Sequence, residues 1–382
     1  MQNYKLKIRV LTYREIDRGE WSRLVRTSTT GTWFQTPEAY EFYVSMPDLF
    51  APYAIGVVSK PKSDLGLNNE ETLRGVCVGY VTVERNPIKQ YFTRRAIVIG
   101  GPCLADDCTA EEVETLLCAF KSTLLSGMGQ TGSPIYIETR NFNDYSRWKG
   151  AFGKAGFEYK RHLNFHVDCT DMDKIWERLS DNRKRQIRHA RNKGIAITML
   201  SKDENDIREW YKILHQLYVT RVKTPLFPPE FFIEANNHGV GKFLIVKHEG
   251  KVIGGSMIVT HESVSELGSE RVSELGSERG SELSERGHGD TVYEWFECGL
   301  NAEYKELYPS VMATYAGIEY AAEHGYARYD MMGAGEPGVP YGVRDFKAEF
   351  GGEMVEQGRF LCICHPILYK LGVLGVKILR KS

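Results

Sequence analysis

Residues Tyr329 to Gly352 read YDMMGAGEPGVPYGVRDFKAEFGG. The stretch leaves an apolar strand predicted at Ala327–Met331, crosses a loop rich in glycine and proline, and enters a short segment carrying Arg344 and Lys347. Two basic residues three apart share one helical face, and glycines let a backbone approach a ligand closely. A loop at the carboxyl end of a strand, followed by cations, is where an open α/β sheet tends to receive an anionic substrate. The competing reading is a tight strand-to-helix turn with solvated charges, since short motifs also arise by chance.

The same alternation of strands and helices runs through the rest of the chain. Period-2 and period-3.6 patterning predicts strands at Leu6–Leu11, Ala54–Val58, Val76–Val83, Ala96–Ile99, Ile135–Glu138 and Tyr159–Val167. Helices are predicted at Ile16–Val25, Thr36–Val44, Ala110–Leu125 and Ser146–Lys154. The second half repeats the order. Helix Met172–Asn192 precedes strand Ala196–Leu200 and helices Glu204–Tyr218 and Pro229–Asn236. Strands Lys242–Lys247 and Val252–Thr260 are joined by the hairpin signal His248-Glu249-Gly250. Strand Thr291–Cys298, helix Ser310–His324, the quoted stretch, strand Met354–Cys362 and helix Ile367–Leu379 complete it. Two similar runs imply an α/β (α+β) chain of two domains, residues 1–168 and 169–382, divided at the turn-rich Asp168-Cys169-Thr170-Asp171.

One segment breaks the pattern. VSELGSER at Val264–Arg271 recurs at Val272–Arg279 and decays to GSELSER. The low-complexity insert, residues 262–290, is polar and glycine-rich and cannot bury a core. A loop insertion of this kind costs little, because closure entropy grows slowly with length.

Composition excludes more than it identifies. The 382 residues carry a formal net charge of −1, so an anion site has to be a local cluster. The eight cysteines form no C-x-x-C pair, and no metal site is expected. The amino-terminal residues lack an apolar signal region, and no apolar stretch reaches the length of a membrane span. A cytoplasmic protein is expected. Gly127–Gly132 satisfies G-x-G-x-x-G but follows a helix and precedes a strand, the reverse of a dinucleotide site. There is no G-x-S-x-G elbow, H-E-x-x-H or phosphate-binding loop, which points to chemistry that works mainly by positioning.

Two further segments are site candidates. In RLSDNRKRQIRHARNKG, Arg178–Gly194, Lys184, Arg188 and Arg191 share a helical face, while Arg183 falls in the apolar sector. The helix suits phosphates of an RNA or nucleotide-linked substrate, or is a solvated basic face. Tyr218, Arg221 and Lys223 precede the proline-rich Pro225–Pro229, a pocket wall or a helix stop.

Together these stretches resemble the FemABX family of peptidoglycan-bridge aminoacyltransferases, within the GNAT-like N-acyltransferase superfamily. LSDNRKRQIRHARNKGI, the hairpin FLIVKHEGKVIGGSMIV continued by YEWFECGLNAEY, and the quoted stretch carry the resemblance; the first domain adds only TWFQTPEAYEFY. The resemblance implies two tandem GNAT-like acyltransferase domains, with mixed sheets flanked by helices. It also implies aminoacyl transfer from aminoacyl-tRNA to the amine of a peptidoglycan precursor, with no cofactor beyond the co-substrate. Lys347 matches the lysine implicated in the family's function. Arg183, Arg185, Tyr218, Arg221, Tyr341 and Arg344 are substrate-binding candidates, and no general base stands out. The long helical arm of many bridge enzymes has no room in Asp168–Leu200. Two alternatives stay open: an acyl-CoA-dependent N-acyltransferase acting on an amino sugar or polysaccharide precursor, and a non-catalytic binding module. The amphipathic helix Pro366–Ser382 suits docking on the domain or loose contact with the inner face of an anionic membrane.

Overall fold

Apolar alternation closes the chain into two mixed sheets, seen in a computed structural model that describes residues 7–60, 71–126, 132–263 and 290–381. Most of the G-x-G-x-x-G motif and the VSELGSER repeats lie outside the described residues. The strands, in chain order, are β1 (Arg9–Thr12), β2 (Phe50–Ser59), β3 (Thr72–Thr82), β4 (Ala96–Gly100), β5 (Cys103–Leu104), β6 (Tyr136–Asn141), β7 (Glu158–Lys160), β8 (Asn164–Asp168), β9 (Ala196–Thr198), β10 (Lys242–His248), β11 (Lys251–His261), β12 (Thr291–Gly299), β13 (Arg328–Gly333), β14 (Glu353–Val355) and β15 (Arg359–Ile363). The helices are α1 (Arg18–Thr27), α2 (Pro37–Val44), α3 (Pro87–Thr93), α4 (Ala110–Leu125), α5 (Lys149–Lys154), α6 (Met172–Arg178), α7 (Asp181–Asn192), α8 (Glu204–Leu217), α9 (Pro229–Asn237), α10 (Pro309–Glu323), α11 (Gly342–Ala348) and α12 (Pro366–Lys381).

The first unit comprises residues 1–161 and 357–382 and holds the sheet β1-β2-β3-β4-β6-β15-β7, with β5 beside β3. The second, residues 162–356, holds β9-β10-β11-β12-β13-β8-β14. The two sheets follow one plan. In each, an antiparallel run ends in a parallel pair, β4 with β6 and β12 with β13. A helix joins each parallel pair, α4 in the first unit and α10 in the second, as a parallel crossover requires. The start of α4 is set by a capping box: the Thr109 hydroxyl accepts from the Glu112 N–H, and the Glu112 carboxylate accepts from the Thr109 N–H. Val113, Leu116, Leu117, Phe120 and Leu124 then bury one face in the first core. Pro309 opens α10 at a position whose N–H has no helical partner anyway. Most of α10 is buried, and it lies in the second core.

The domain boundaries differ from the sequence reading. Tyr159–Val167, expected as one strand, is two: β7 pairs with β15 in the first sheet, β8 with β13 and β14 in the second. Met354–Cys362 divides in the same way into β14 and β15. The chain therefore leaves the first unit at Arg161 rather than Asp168, and returns to it at Gln357 instead of ending in the second unit. Alternation continues across both changes of sheet, so a period-2 pattern carries no mark of them. The expected helix Met172–Asn192 is also two, because Ser180 takes extended backbone and its hydroxyl caps the Arg183 N–H. The turn at Glu249 and Gly250 has left-handed backbone at both residues, as a two-residue hairpin demands.

Candidate active site

The parallel pairing of the second sheet is short. β12 and β13 are in register only from Thr291–Tyr293 against Arg328–Asp330, whereas β4 and β6 pair over five positions. Beyond Asp330 the carbonyls of β13 need other partners, because buried backbone acceptors are costly to leave unmade. Lys347, on α11, supplies them. Its ammonium donates to the carbonyls of Met331 and, at 2.9 Å, of Gly333. The side chain is buried, and burial pulls its pKa below the usual lysine value, against the opposing pull of Glu294, Asp330 and Glu297.

Glu294 and Glu297 come to one side because β12 carries a bulge. Met257 faces Phe296 and Ile258 faces Glu294, so Trp295 is an extra residue without a partner on β11. In a regular strand, residues three apart point to opposite faces. The extra residue brings Glu294 and Glu297 to one side, against α10. Glu294 accepts from the Thr314 hydroxyl at 2.8 Å and the Tyr329 hydroxyl at 3.0 Å. Its pKa is raised by burial, with Lys347 and these donors opposing. For Glu297, burial first and then the charge of Glu294 push the pKa up to about 8, with the Ser310 side chain opposing. Its Oε1 is closed to solvent and has no hydrogen-bond partner among the described residues. A carboxyl group that titrates near neutrality can exchange a proton, and a buried ammonium whose charge reaches it can stabilise developing negative charge.

Asp330 caps the loop. Its Oδ1 accepts from the Met332 N–H at 2.6 Å, where Met332 takes left-handed backbone. Its Oδ2 lies 3.2 Å from His166 Nε2. Burial pushes the Asp330 pKa up, but nearby His166, the charge of Arg328 and the Met332 N–H together hold the carboxyl below its usual value.

Arg344 and Lys347 both bind the backbone of the quoted stretch, in place of the expected open pair of cations. Arg344 donates to the carbonyls of Ala334 and Val339 at 3.0 Å each and to that of Glu336, stitching the glycine-rich loop. Tyr341 is exposed and lies against Gly335, whose positive φ and lack of Cβ give the ring its place. Arg183 is buried, and its guanidinium lies 4.5 Å and 5.0 Å from the ring centres of Phe346 and Phe350. It donates to Gln186 at 2.6 Å and to the Phe346 carbonyl at 3.2 Å, so it clamps α7 to the helix that carries Lys347.

The outer face of α7 is engaged locally. Arg185 is exposed and donates to Asn182, Arg188 lies over Trp176, and Arg191 binds Glu319. Tyr218 and Arg221 lie on a wide turn after α8, Tyr218 half-buried with its ring 6.4 Å from that of Phe296 and Arg221 exposed. Among the described residues no cluster of His, Cys, Asp and Glu is arranged to hold a metal. Glu294 and Glu297 were missed by the sequence reading. Their signal was present, as two acids three apart in the mostly apolar TVYEWFECG, but residues three apart in a regular strand point to opposite faces.

The segment 288–374, which contains both glutamates and Lys347, matches the FemAB family. The structure of FemX superposes with a TM-score of 0.59 at 14% identity, covering 95% of this chain and 99% of that one. Weaker likenesses include a C-terminal domain provisionally assigned to a lysylphosphatidylglycerol synthetase of Agrobacterium fabrum (TM-score 0.49, 11% identity, 93% of each chain). Another is a GCN5-related N-acetyltransferase from Sphaerobacter thermophilus (TM-score 0.44, 9% identity, 93% of this chain and 94% of that one). No curated protein sequence matches. The FemX superposition bears out the fold expected from the sequence, two tandem GNAT-like domains with mixed sheets flanked by helices.

Proposed function

We propose, from the premise that this chain is FemABX-like, that it is an acyltransferase moving an aminoacyl group from aminoacyl-tRNA to an amine of a peptidoglycan precursor. The observation that carries this reading is the buried group Lys347, Glu294 and Glu297, within the segment that matches the family.

The chemistry needs three things. The incoming ammonium has to lose a proton, the attacked ester carbonyl has to bear negative charge, and the two substrates have to be held in line. Glu297, with a free buried oxygen, accepts the amine proton. An ammonium has three donors; two of those on Lys347 hold the carbonyls of Met331 and Gly333, and the third serves the oxyanion. The amide C–N bond forms as the ester C–O bond breaks. The ribose oxygen departs with a proton, so the two substrates exchange a proton and an acyl group with no other reactant. Arg344 holds the loop beside the reacting groups, Arg183 sets α11, and Arg185, Tyr218, Arg221 and Tyr341 are candidates for contact with the precursor or the tRNA.

The first turn of α10 weighs against the acyl-CoA alternative. A pyrophosphate at a helix start needs unmet N–H groups. Here Pro309 has none, and the Ser310 N–H is held by the Asn301 side chain at 3.2 Å. The test is to incubate the protein with charged tRNA, and separately with acetyl-CoA, against amine-bearing cell-wall precursors. Product with charged tRNA supports the proposal; product with acetyl-CoA alone overturns it.

A further inference from the structure

We propose that the first unit docks on an anionic phospholipid surface through the adjoining helices α3 and α12. Both belong to the first unit and lie against each other. On α3, Ile88, Tyr91 and Phe92 fall at i, i+3 and i+4 and are 71%, 50% and 50% exposed. On α12, Ile367, Leu371 and Leu374 fall at i, i+4 and i+7 and are 76%, 52% and 56% exposed. Each set is one stripe of its helix. An amphipathic helix normally buries such a stripe, so two adjacent stripes left in water mark an interaction surface.

Charge selects the partner. The segment Arg85–Arg95 contains Arg85, Lys89, Arg94 and Arg95 and no acid, and Pro366–Ser382 contains Lys370, Lys377, Arg380 and Lys381 and no acid. Arg85, which precedes α3, and Lys89, on it, pair with Asp48 and Glu84 from outside the helix, in exposed geometry that water and salt weaken. Eight basic residues and no acid fall on these two helices and the residues immediately flanking α3, in a chain whose net charge is −1. Aliphatic residues flanked by lysines and arginines, with a tyrosine and a phenylalanine among them, match a bilayer interface, where apolar side chains enter the acyl boundary and cations meet anionic headgroups. Nucleic acid would leave the isoleucine and leucine side chains unused. The helices lie in the plane of such a surface, because no helix among the described residues is long and apolar enough to cross a membrane.

The inference does not depend on the acyl-transfer reaction, and its test is separate. The full-length protein is floated with vesicles of phosphatidylglycerol and phosphatidylcholine, and with phosphatidylcholine alone, at low and high salt. Binding is expected to the mixed vesicles only, to fall as salt rises, and to weaken by ~10-fold or more in the double variant Phe92→Glu, Leu374→Glu. Both positions face solvent, so circular dichroism should match the parent. Equal flotation of parent and variant overturns the proposal. So does absence of binding to every vesicle, including the case where the parent dimerises in sedimentation velocity and the variant does not.

Discussion

Lys347 and Gly333 are joined by a 2.9 Å hydrogen bond from the ammonium to a backbone carbonyl that β12 no longer reaches. The lysine is thus both a plug in the sheet and the cation whose charge acts on Glu294 and Glu297. Replacing it with methionine keeps the stem volume but leaves two carbonyls unmet and removes the positive charge that acts on Glu294 and Glu297. Lys347→Met is expected to lower kcat by ~100-fold or more, and to lower the melting temperature as well. Single-turnover rates and thermal unfolding followed together check this. Unchanged turnover would remove Lys347 from the reaction.

Glu297 gives a pH signature. With its pKa at about 8, the carboxyl is mostly protonated at neutral pH and cannot accept a proton. The rate should therefore climb about tenfold per pH unit below that value and level off above it. On the alkaline side it should fall as Lys347 loses its proton, at a pH below that of an ordinary lysine. Glu297→Gln is expected to abolish the rising limb and to lower the plateau by ~100-fold or more, with precursor affinity retained. A variant that keeps the parent pH profile would assign the limb to another group.

Glu138 makes a prediction about stability alone. Burial pushes its pKa up, but Arg140 and Arg359 outweigh that and hold it at about 2, against 4.5 for the free group. Its contribution is fully present above about pH 4.5 and is lost as pH falls toward 2, because the unfolded chain binds the proton first. The effect is on the order of 3 kcal/mol. Denaturant titrations at pH 7 and pH 3 should show the parent losing more stability than Glu138→Gln over that interval.

Gly317 lies within α10, where alanine would ordinarily favour the helix by ~1 kcal/mol. A Cβ there would sit 2.3 Å from the Tyr329 hydroxyl and 2.6 Å from the ring. Tyr329 donates to Glu294, so the clash would reach the carboxylate pair. Gly317→Ala is expected to destabilise by about 1–3 kcal/mol and to reduce transfer. Calorimetry and initial rates check it, and a raised melting temperature would contradict the packing.

Much of the fold was legible because its signals are local. Ala110–Leu125 carries its own cap and apolar stripe, and the helix occupies those residues. The hairpin at His248–Gly250 carries its own turn chemistry. Pairing between strands distant in sequence was not legible. β15 pairs with β6, more than two hundred residues earlier, and nothing in RFLCI says which sheet it joins. The passages between sheets near Arg161 and Gln357 were hidden for that reason.

The candidate site divides along the same line. From residue type and spacing alone, Tyr329–Gly352 marked a strand-end loop with Lys347 and Arg344 close by, and Arg183 stood out as a cation in an apolar sector. Only the tertiary structure decided what those cations touch. Lys347 turns inward because β12 and β13 part after three paired positions, and Arg183 stacks on Phe346 and Phe350 from another helix. Glu294 and Glu297 share a face because one unpaired residue, Trp295, shifts the alternation of β12. A bulge is set by the partner strand as much as by its own residues, so the sequence of β12 alone held both glutamates but not their meeting.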